Sequence, residues 1–261
     1  MHDDRFDSRY PQDQAHGLRQ MFAHAQVRMV PVVANPHMAF GGVMLERLCT
    51  AFAVQGAQVM VVDASERAPA PSELSVVDLA ECIDSLSPQV SYMAARGLPL
   101  RHVDATGSTA GFLRAVSDVA PHVDVMLVHA SELDLCRLFM RSEARPLLLA
   151  DDRPASVTHA YAAMKLLTQR ANLMVHDLLL CAAPTSPRVE RIATQLATCA
   201  DNFIGAVLRD WLHVDPASDA REAPAPALSR WARDVLQPAA PYAPSAARAA
   251  RAPLLNQLVL N

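Results

Sequence analysis

Residues 27–63 read VRMVPVVANPHMAFGGVMLERLCTAFAVQGAQVMVVD, and this stretch decides the fold. Val27–Ala34 is an apolar run rich in β-branched residues, and it stops at the turn-forming Asn35-Pro36-His37. Val43–Gln55 places Leu45, Leu48 and Phe52 at helical spacing and stops at Gly56. Ala57–Asp63 is a second short run, apolar throughout until its last residue. Strand, helix and strand at these lengths make a βαβ unit.

The alternation continues down the chain. The pattern predicts helices over Ser72–Leu86, Thr109–Val119, Ser131–Ser142, Ala155–Arg170 and Ser186–Cys199, and strands over Leu98–Ala105, Val123–Ala130, Pro146–Asp151 and Leu173–Ala182. Ser131 and Asp134 stand as in a capping box, and Ser186-Pro187 reads as an N-cap followed by proline at the first helical position. Strands that are apolar along their whole length are buried on both faces. The expected class is therefore α/β, a mainly parallel sheet covered by helices on both sides. Residues 1–26 form a polar arm with a short helix over Asp13–Ala25, and residues 27–215 form the α/β domain. Residues 216–261 form an irregular tail with 7 of the 19 prolines and two short helices, around Leu228–Leu236 and Ser245–Arg251. The terminal Leu254–Leu260 is apolar and reads as a segment that packs on the body or touches a membrane.

Composition removes whole classes of function. The chain has 261 residues, 23 basic against 27 acidic, for a formal charge of −4. Without a basic excess, nucleic acid is not an expected partner, and 5% aromatics leaves few stacking platforms for single strands. Lys165 is the one lysine, which excludes a phosphate-loop lysine and any Schiff-base lysine elsewhere. Five widely spaced cysteines without a CxxC pair read as reduced, mostly buried thiols. The acidic, polar N-terminus has no targeting character, and the longest uncharged run of the N-terminal half, between Arg28 and Glu46, is broken by prolines and glycines. A soluble, cytoplasmic protein is expected.

Open α/β sheets bind ligands at the first βα turn. A phosphate loop there reads GxxxxGK[ST], with bare backbone amides around the phosphates and a lysine on the terminal ones. This chain has Ala34-Asn35-Pro36-His37-Met38-Ala39-Phe40-Gly41-Gly42-Val43. Pro36 lacks an N–H, Met38 and Phe40 put side chains where bare backbone is needed, and no lysine follows. Losing a charged partner for a phosphate costs about 2–5 kcal/mol, so the stretch reads as a structural turn. Asp63 ends its strand about 20 residues after Gly42, as a ribose-binding acid would, but GxGxxG is missing. Gly107–Gly111 precedes a helix and reads as an N-cap turn before it reads as an anion site. Asp151-Asp152 resembles a metal-ligating pair without a third ligand. His129 ends its strand where a general base often sits, though such a residue is more often a partly buried histidine.

Three longer motifs resemble the MinD/ParA-type ATPases, and within them the bacterial flagellar number regulators FlhG and FleN. Asp13-Gln14-Ala15-His16-Gly17-Leu18-Arg19 resembles the N-terminal DQAxGLR motif of these regulators. Gln55–Ala64 resembles the strand ending in their DAD motif, and Thr158–Leu167 resembles their TDAYALIKLL helix. The resemblance implies a P-loop NTPase-type fold, ATP and magnesium as cofactors, ATP-driven homodimerisation and transient membrane association. The departures fall on the nucleotide-binding residues. By alignment to the Gly56 helix end, the signature lysine falls on Pro36, the loop lysine on Gly41, its threonine on Gly42, and the Walker-B-type aspartate on His129, while Asp63 alone is kept. These positions form a degenerate nucleotide site, and no cofactor is expected in this chain.

The N-terminal motif is intact. The resemblance implies that it engages a flagellar GTPase of the signal-recognition type (FlhF-like) and stimulates GTP hydrolysis. Gln14 would orient the attacking water, Leu18 and Phe22 would be apolar anchors, and Asp13, Gly17 and Arg19 would complete the motif. The leading expectation is a pseudo-ATPase regulator of flagellar number or placement. A divergent active ATPase and a dinucleotide-dependent enzyme using Asp63 are the alternatives.

Overall fold

A computed structural model describes residues 27–73, 78–219 and 221–237. The expected arm and its motif residues Asp13, Gln14, Gly17, Leu18, Arg19 and Phe22 lie outside the described residues, as do the second tail helix and Leu254–Leu260.

Among the described residues eight strands form one sheet. They are β1 (Arg28–Val33), β2 (Val59–Asp63), β3 (Ile83–Ser87), β4 (Val90–Ala94), β5 (Val125–Ala130), β6 (Leu147–Asp151), β7 (Val175–Cys181) and β8 (Val207–Val214). Their order across the sheet is β3-β4-β2-β5-β1-β6-β7-β8. All neighbours are parallel except β3 and β4. Among the described residues six α-helices cover it: α1 (Gly41–Ala53), α2 (Ala110–Val119), α3 (Glu132–Leu138), α4 (Pro154–Ala171), α5 (Val189–Cys199) and α6 (Pro226–Leu236). The expected α/β class and two-sided cover are both present.

The two faces of the sheet bury two separate cores. On one side α2, α3, α4 and α5 contribute Phe112, Leu135, Met164 and Leu196. On the other, α1 and α6 contribute Leu48, Phe52, Leu228 and Trp231. β2 and β6 are buried along their whole length, which is why they read as unbroken apolar runs rather than alternating ones. In α1 the buried Met44, Leu45, Leu48, Ala51 and Phe52 repeat at three and four residues. Each such large side chain removed from water contributes roughly 1.5–3 kcal/mol. Gly56, at φ +84°, ends the turn after α1 in a conformation that other residues avoid.

Six segments differ from the sequence expectation, counting β4 (Val90–Ala94), which no expected strand covered. The helix expected over Ser72–Leu86 is, where described, a 3-10 turn at Ala80–Cys82 followed by strand β3. Its isolated apolar residues mimic a helical period, but β4 offers a partner across the two-residue turn Pro88-Gln89, and pairing decides. The strand expected over Leu98–Ala105 is a 3-10 turn at Pro99–His102, because Pro99 has no N–H for a ladder. Helix α3 ends at Leu138, four residues early. Helix α5 starts at Val189, because Ser186 donates its hydroxyl to Asp152 Oδ2 at 3.0 Å instead of capping. Strand β8 went unforeseen: it is an edge strand of alternating exposure, with Arg209 and Asp210 at its centre. The Ser131 cap is as expected, with its Oγ accepting from the Asp134 N–H at 3.2 Å, and α6 matches the first tail helix.

Candidate functional site

The order of strands brings the C-terminal ends of β1, β2, β5 and β6 together where the connections diverge, the position at which open α/β sheets hold ligands. All five degenerate-site residues arise from the β1–α1 connection or the β2–β5 pair at this edge. Pro36 lies in the turn after β1, and Gly41 and Gly42 open α1. Asp63 is the last residue of β2 and faces His129 of β5 in register.

The β1–α1 connection is a closed turn. Asn35 accepts the His37 N–H on its Oδ1 at 3.0 Å, and its backbone carbonyl accepts the Met38 N–H at 3.1 Å. An Asn-Pro pair favours this geometry, because proline presets φ and the asparagine side chain substitutes for a backbone acceptor. The Asn35 amide also donates to Leu149 O at 2.8 Å, and to Ser156 O and Oγ at 3.0 Å each, tying the turn to β6 and α4. Ser156 Oγ in turn accepts the Asp151 N–H at 2.9 Å. His159 Nε2 contacts Ala34 O at 3.1 Å. The outward carbonyls of the turn are also taken: Arg67 donates to Pro36 O at 2.7 Å, and Arg153 donates to His37 O. The two guanidinium groups border an open cleft of about 380 Å³ above the turn.

The Asp151 and Asp152 carboxylates are both engaged by neighbouring side chains. Asp151 Oδ2 accepts from Arg153 Nε at 2.9 Å and Nη2 at 2.7 Å, and Oδ1 accepts the Arg153 N–H. The paired carboxylate raises the Arg153 pKa further. Asp152 is bound by Ser186. Among the described residues no group of three His, Cys, Asp or Glu side chains could hold a metal ion. The Gly107–Gly111 segment is a turn wrapped on a side chain, since Asp104 Oδ1 accepts the N–H groups of Thr106 and Ser108 at 2.8 and 3.0 Å.

Asp63 and His129 form a pair of their own, with Oδ1 and Nδ1 2.9 Å apart and each side chain 12% exposed. Ser65 N–H donates to Oδ1 at 3.1 Å, and the Tyr92 hydroxyl donates to Oδ2 at 3.3 Å. Burial works against the charged form of Asp63, but the hydrogen bond and charge of His129, with the Ser65 hydrogen bonds, outweigh it and hold the carboxyl below its ordinary pKa. Burial, then the Asp63 charge, pushes the Tyr92 hydroxyl up to about 12. Both carboxylate oxygens are thus engaged within the protein, and Asp63 does not stand free for a ribose.

Sequence reading missed Asn35, Arg67, Tyr92, Arg153 and Ser156 as parts of this edge. The Asn35-Pro36 dipeptide carried a signal, and a turn was read there. The arginines come from the ends of β2 and β6, and nothing local marks their convergence.

No family model matches the chain. It is similar to the antiactivator FleN of Pseudomonas aeruginosa, with 29% identity over 102 residues, 38% of this chain. The match spans 36% of the length of FleN. Among solved structures, the chain resembles the cell division protein MinD of Aquifex aeolicus (TM-score 0.56, 11% identity, 82% of this chain and 99% of that one). It resembles the Mg-ADP complex of MinD from Pyrococcus horikoshii (0.52, 14%, 80% and 96%) and a ParA family ATPase of Chlorobium tepidum (0.50, 13%, 80% and 98%). The chain therefore has the MinD/ParA-type P-loop NTPase fold, with FleN as a relative by sequence.

Proposed function

We propose that the chain is a regulator of flagellar number or placement that works by binding rather than by ATP turnover. The observation that carries this is the closed β1–α1 turn. Phosphate loops hold anions with free amides, whereas here Pro36 has no N–H and the His37 and Met38 amides are spent on Asn35. Gly41 and Gly42 supply neither the charge nor the hydroxyl that a triphosphate and its magnesium require. ATP with magnesium does not fit these residues, so no step is assigned to it.

On this reading the sheet is a scaffold, and the arm of residues 1–26 carries the activity. Its motif engages a flagellar GTPase of the signal-recognition type in the cytoplasm, with Gln14 stimulating hydrolysis and Leu18 and Phe22 anchoring the contact. The intact motif beside the altered loop supports this, as does the sequence similarity to FleN. Homodimerisation and membrane contact, where they occur, proceed without nucleotide. Among the described residues no helix is long and apolar enough to cross a membrane.

The test is GTP turnover by that GTPase with the wild-type chain and with Gln14→Ala. Stimulation by the wild type that disappears in the variant is expected, and no stimulation by either overturns the proposal. Calorimetric titration with Mg-ATP is expected to give no heat of binding, and micromolar affinity would restore the active-ATPase alternative.

A further inference from the structure

Four exposed apolar side chains stand together at the N-terminal ends of β7 and β8. Met174 is 40% exposed, Val175 38%, Phe203 76% and Val207 55%. Val207 pairs with Val175 in register and donates its N–H to Met174 O at 2.8 Å. Phe203 lies in the short turn that leads into β8, a sheet edge among the described residues. An edge strand beside exposed aromatic and branched side chains is a surface that natural proteins cover.

The start of β1 lies at the same edge of the sheet. The described chain begins at Val27, and β1 begins at Arg28. Val32 of β1 pairs with Leu147 of β6, and Leu147 pairs with Asp177 of β7. Val175 is therefore level with Val30, and only β6 stands between β1 and β7. At about 4.8 Å per strand, the corner is roughly 10–15 Å from β1. From Phe22 to Arg28 the chain spans about 9 Å as helix and about 20 Å extended, which brackets that distance. The exposed Phe40, Leu100 and Leu133 lie at the other edge, beyond the length of β1.

The arm carries a face that suits the corner. Leu18, Met21, Phe22 and Ala25 recur at three and four residues, the period of an apolar helical stripe. Such a stripe binds by laying its apolar side on an apolar surface. Charge agrees as well as reach. Arg19 adjoins the stripe, Asp201 and Asp210 flank Phe203 and Val207, and Arg209 is already paired with Asp234.

We propose that residues 13–25 of this chain's own arm dock on the Met174–Val175–Phe203–Val207 corner. Docking occupies Leu18 and Phe22, the side chains assigned above to the GTPase contact, so the arm serves one surface at a time. The docking goes beyond the GTPase reading, while the statement that it withholds the motif from a GTPase rests on that reading.

The experiment uses the full chain in two complementary variants, Phe22→Asp in the arm and Phe203→Asp at the corner. It contains no GTPase, so its failure is distinct from a failure of the turnover assay. Phe203 is largely solvent-exposed, so its substitution leaves the core intact. Trypsin cleavage after Arg19 is expected to be roughly tenfold faster or more in Phe203→Asp than in wild type. Amide exchange read by mass spectrometry over residues 203–211 is expected to be roughly tenfold faster or more in Phe22→Asp. Either readout unchanged by its variant overturns the proposal. So does wild-type protection of 203–211 that disappears on dilution, which would assign the cover to a second copy.

Discussion

Asn35 and Ser156 are 121 positions apart in sequence and joined by two hydrogen bonds of 3.0 Å, from the Asn35 amide nitrogen to the Ser156 carbonyl and hydroxyl. A third bond from the same nitrogen reaches Leu149 O, so one buried side chain fastens the β1–α1 turn to β6 and α4. Removing it leaves buried carbonyls without donors. Asn35→Ala is expected to cost about 2–3 kcal/mol, lowering Tm by roughly 4–12 °C. Asn35→Asp keeps the size and the acceptor for His37 N–H but loses the donor. A loss comparable to that of Asn35→Ala in thermal melts would identify donation as the stabilising property, and a near-neutral Asn35→Asp would refute that assignment.

The Asp63–His129 pair predicts a pH dependence. Its cause is a carboxyl whose folded-state pKa lies below the ordinary value. The unfolded chain therefore takes up a proton at this group before the folded chain does as pH falls. The contribution is fully present above the ordinary carboxylate pKa, and it is lost as pH drops from about 5 to 3 and below. His129→Leu removes the main partner while keeping the side chain largely apolar and buried. Urea midpoints measured from pH 6 to 3 are expected to fall less steeply in His129→Leu than in wild type. Parallel slopes would show that the pair does not hold the carboxylate.

The sequence revealed what each segment could decide alone. The runs Val27–Ala34 and Ala57–Asp63 contain the largely buried strands β1 and β2 and are apolar enough to mark them, so β1 and β2 were legible, as was α1 between them. The hairpin of β3 and β4 was not, because Ile83–Ser87 becomes a strand only by pairing. The bulged edge strand β8 was hidden by Arg209 and Asp210, polar residues that an outer strand tolerates. At the candidate site the substitutions at Pro36, Gly41, Gly42 and His129 were visible one by one. That Arg67 and Arg153 hold consecutive carbonyls of the turn was not, since it depends on where β2 and β6 end in space.

Helix α6 is held to the body by a buried polar bond as well as by packing. Trp231 donates its indole N–H to Asp177 Oδ2 at 2.7 Å and stacks edge-on against Phe52 of α1, with ring centroids 5.7 Å apart. Arg145 Nε approaches the same carboxylate oxygen at 2.7 Å. Trp231→Phe keeps an aromatic ring and removes one donor from a buried carboxyl acceptor, at an expected cost of about 1–3 kcal/mol. Trp231→Ala also opens a cavity, and its total should reach about 3–5 kcal/mol. Denaturant unfolding of both variants separates the two terms. Equal losses in both would mean that the hydrogen bond contributes the whole effect and the ring none, contrary to the contact with Phe52.

Thiol reactivity provides a test of the core itself. Cys49, Cys82, Cys136 and Cys181 are buried, and Cys199 at the end of α5 is partly exposed. Burial pushes the thiols of Cys49 and Cys181 up to about 12, and that of Cys136 up to about 11. The attacking species is the thiolate, so a raised pKa and lack of access suppress reaction together. With an aromatic disulfide reagent at pH 8, the native chain is expected to release one fast equivalent, which Cys199→Ser abolishes. In denaturant all five cysteines should react at a common rate. Two or more fast equivalents in the native chain would mean that a face of the sheet is open, and since Cys49 belongs to α1 on one face and Cys136 to α3 on the other, identifying the modified residue would tell which face it is.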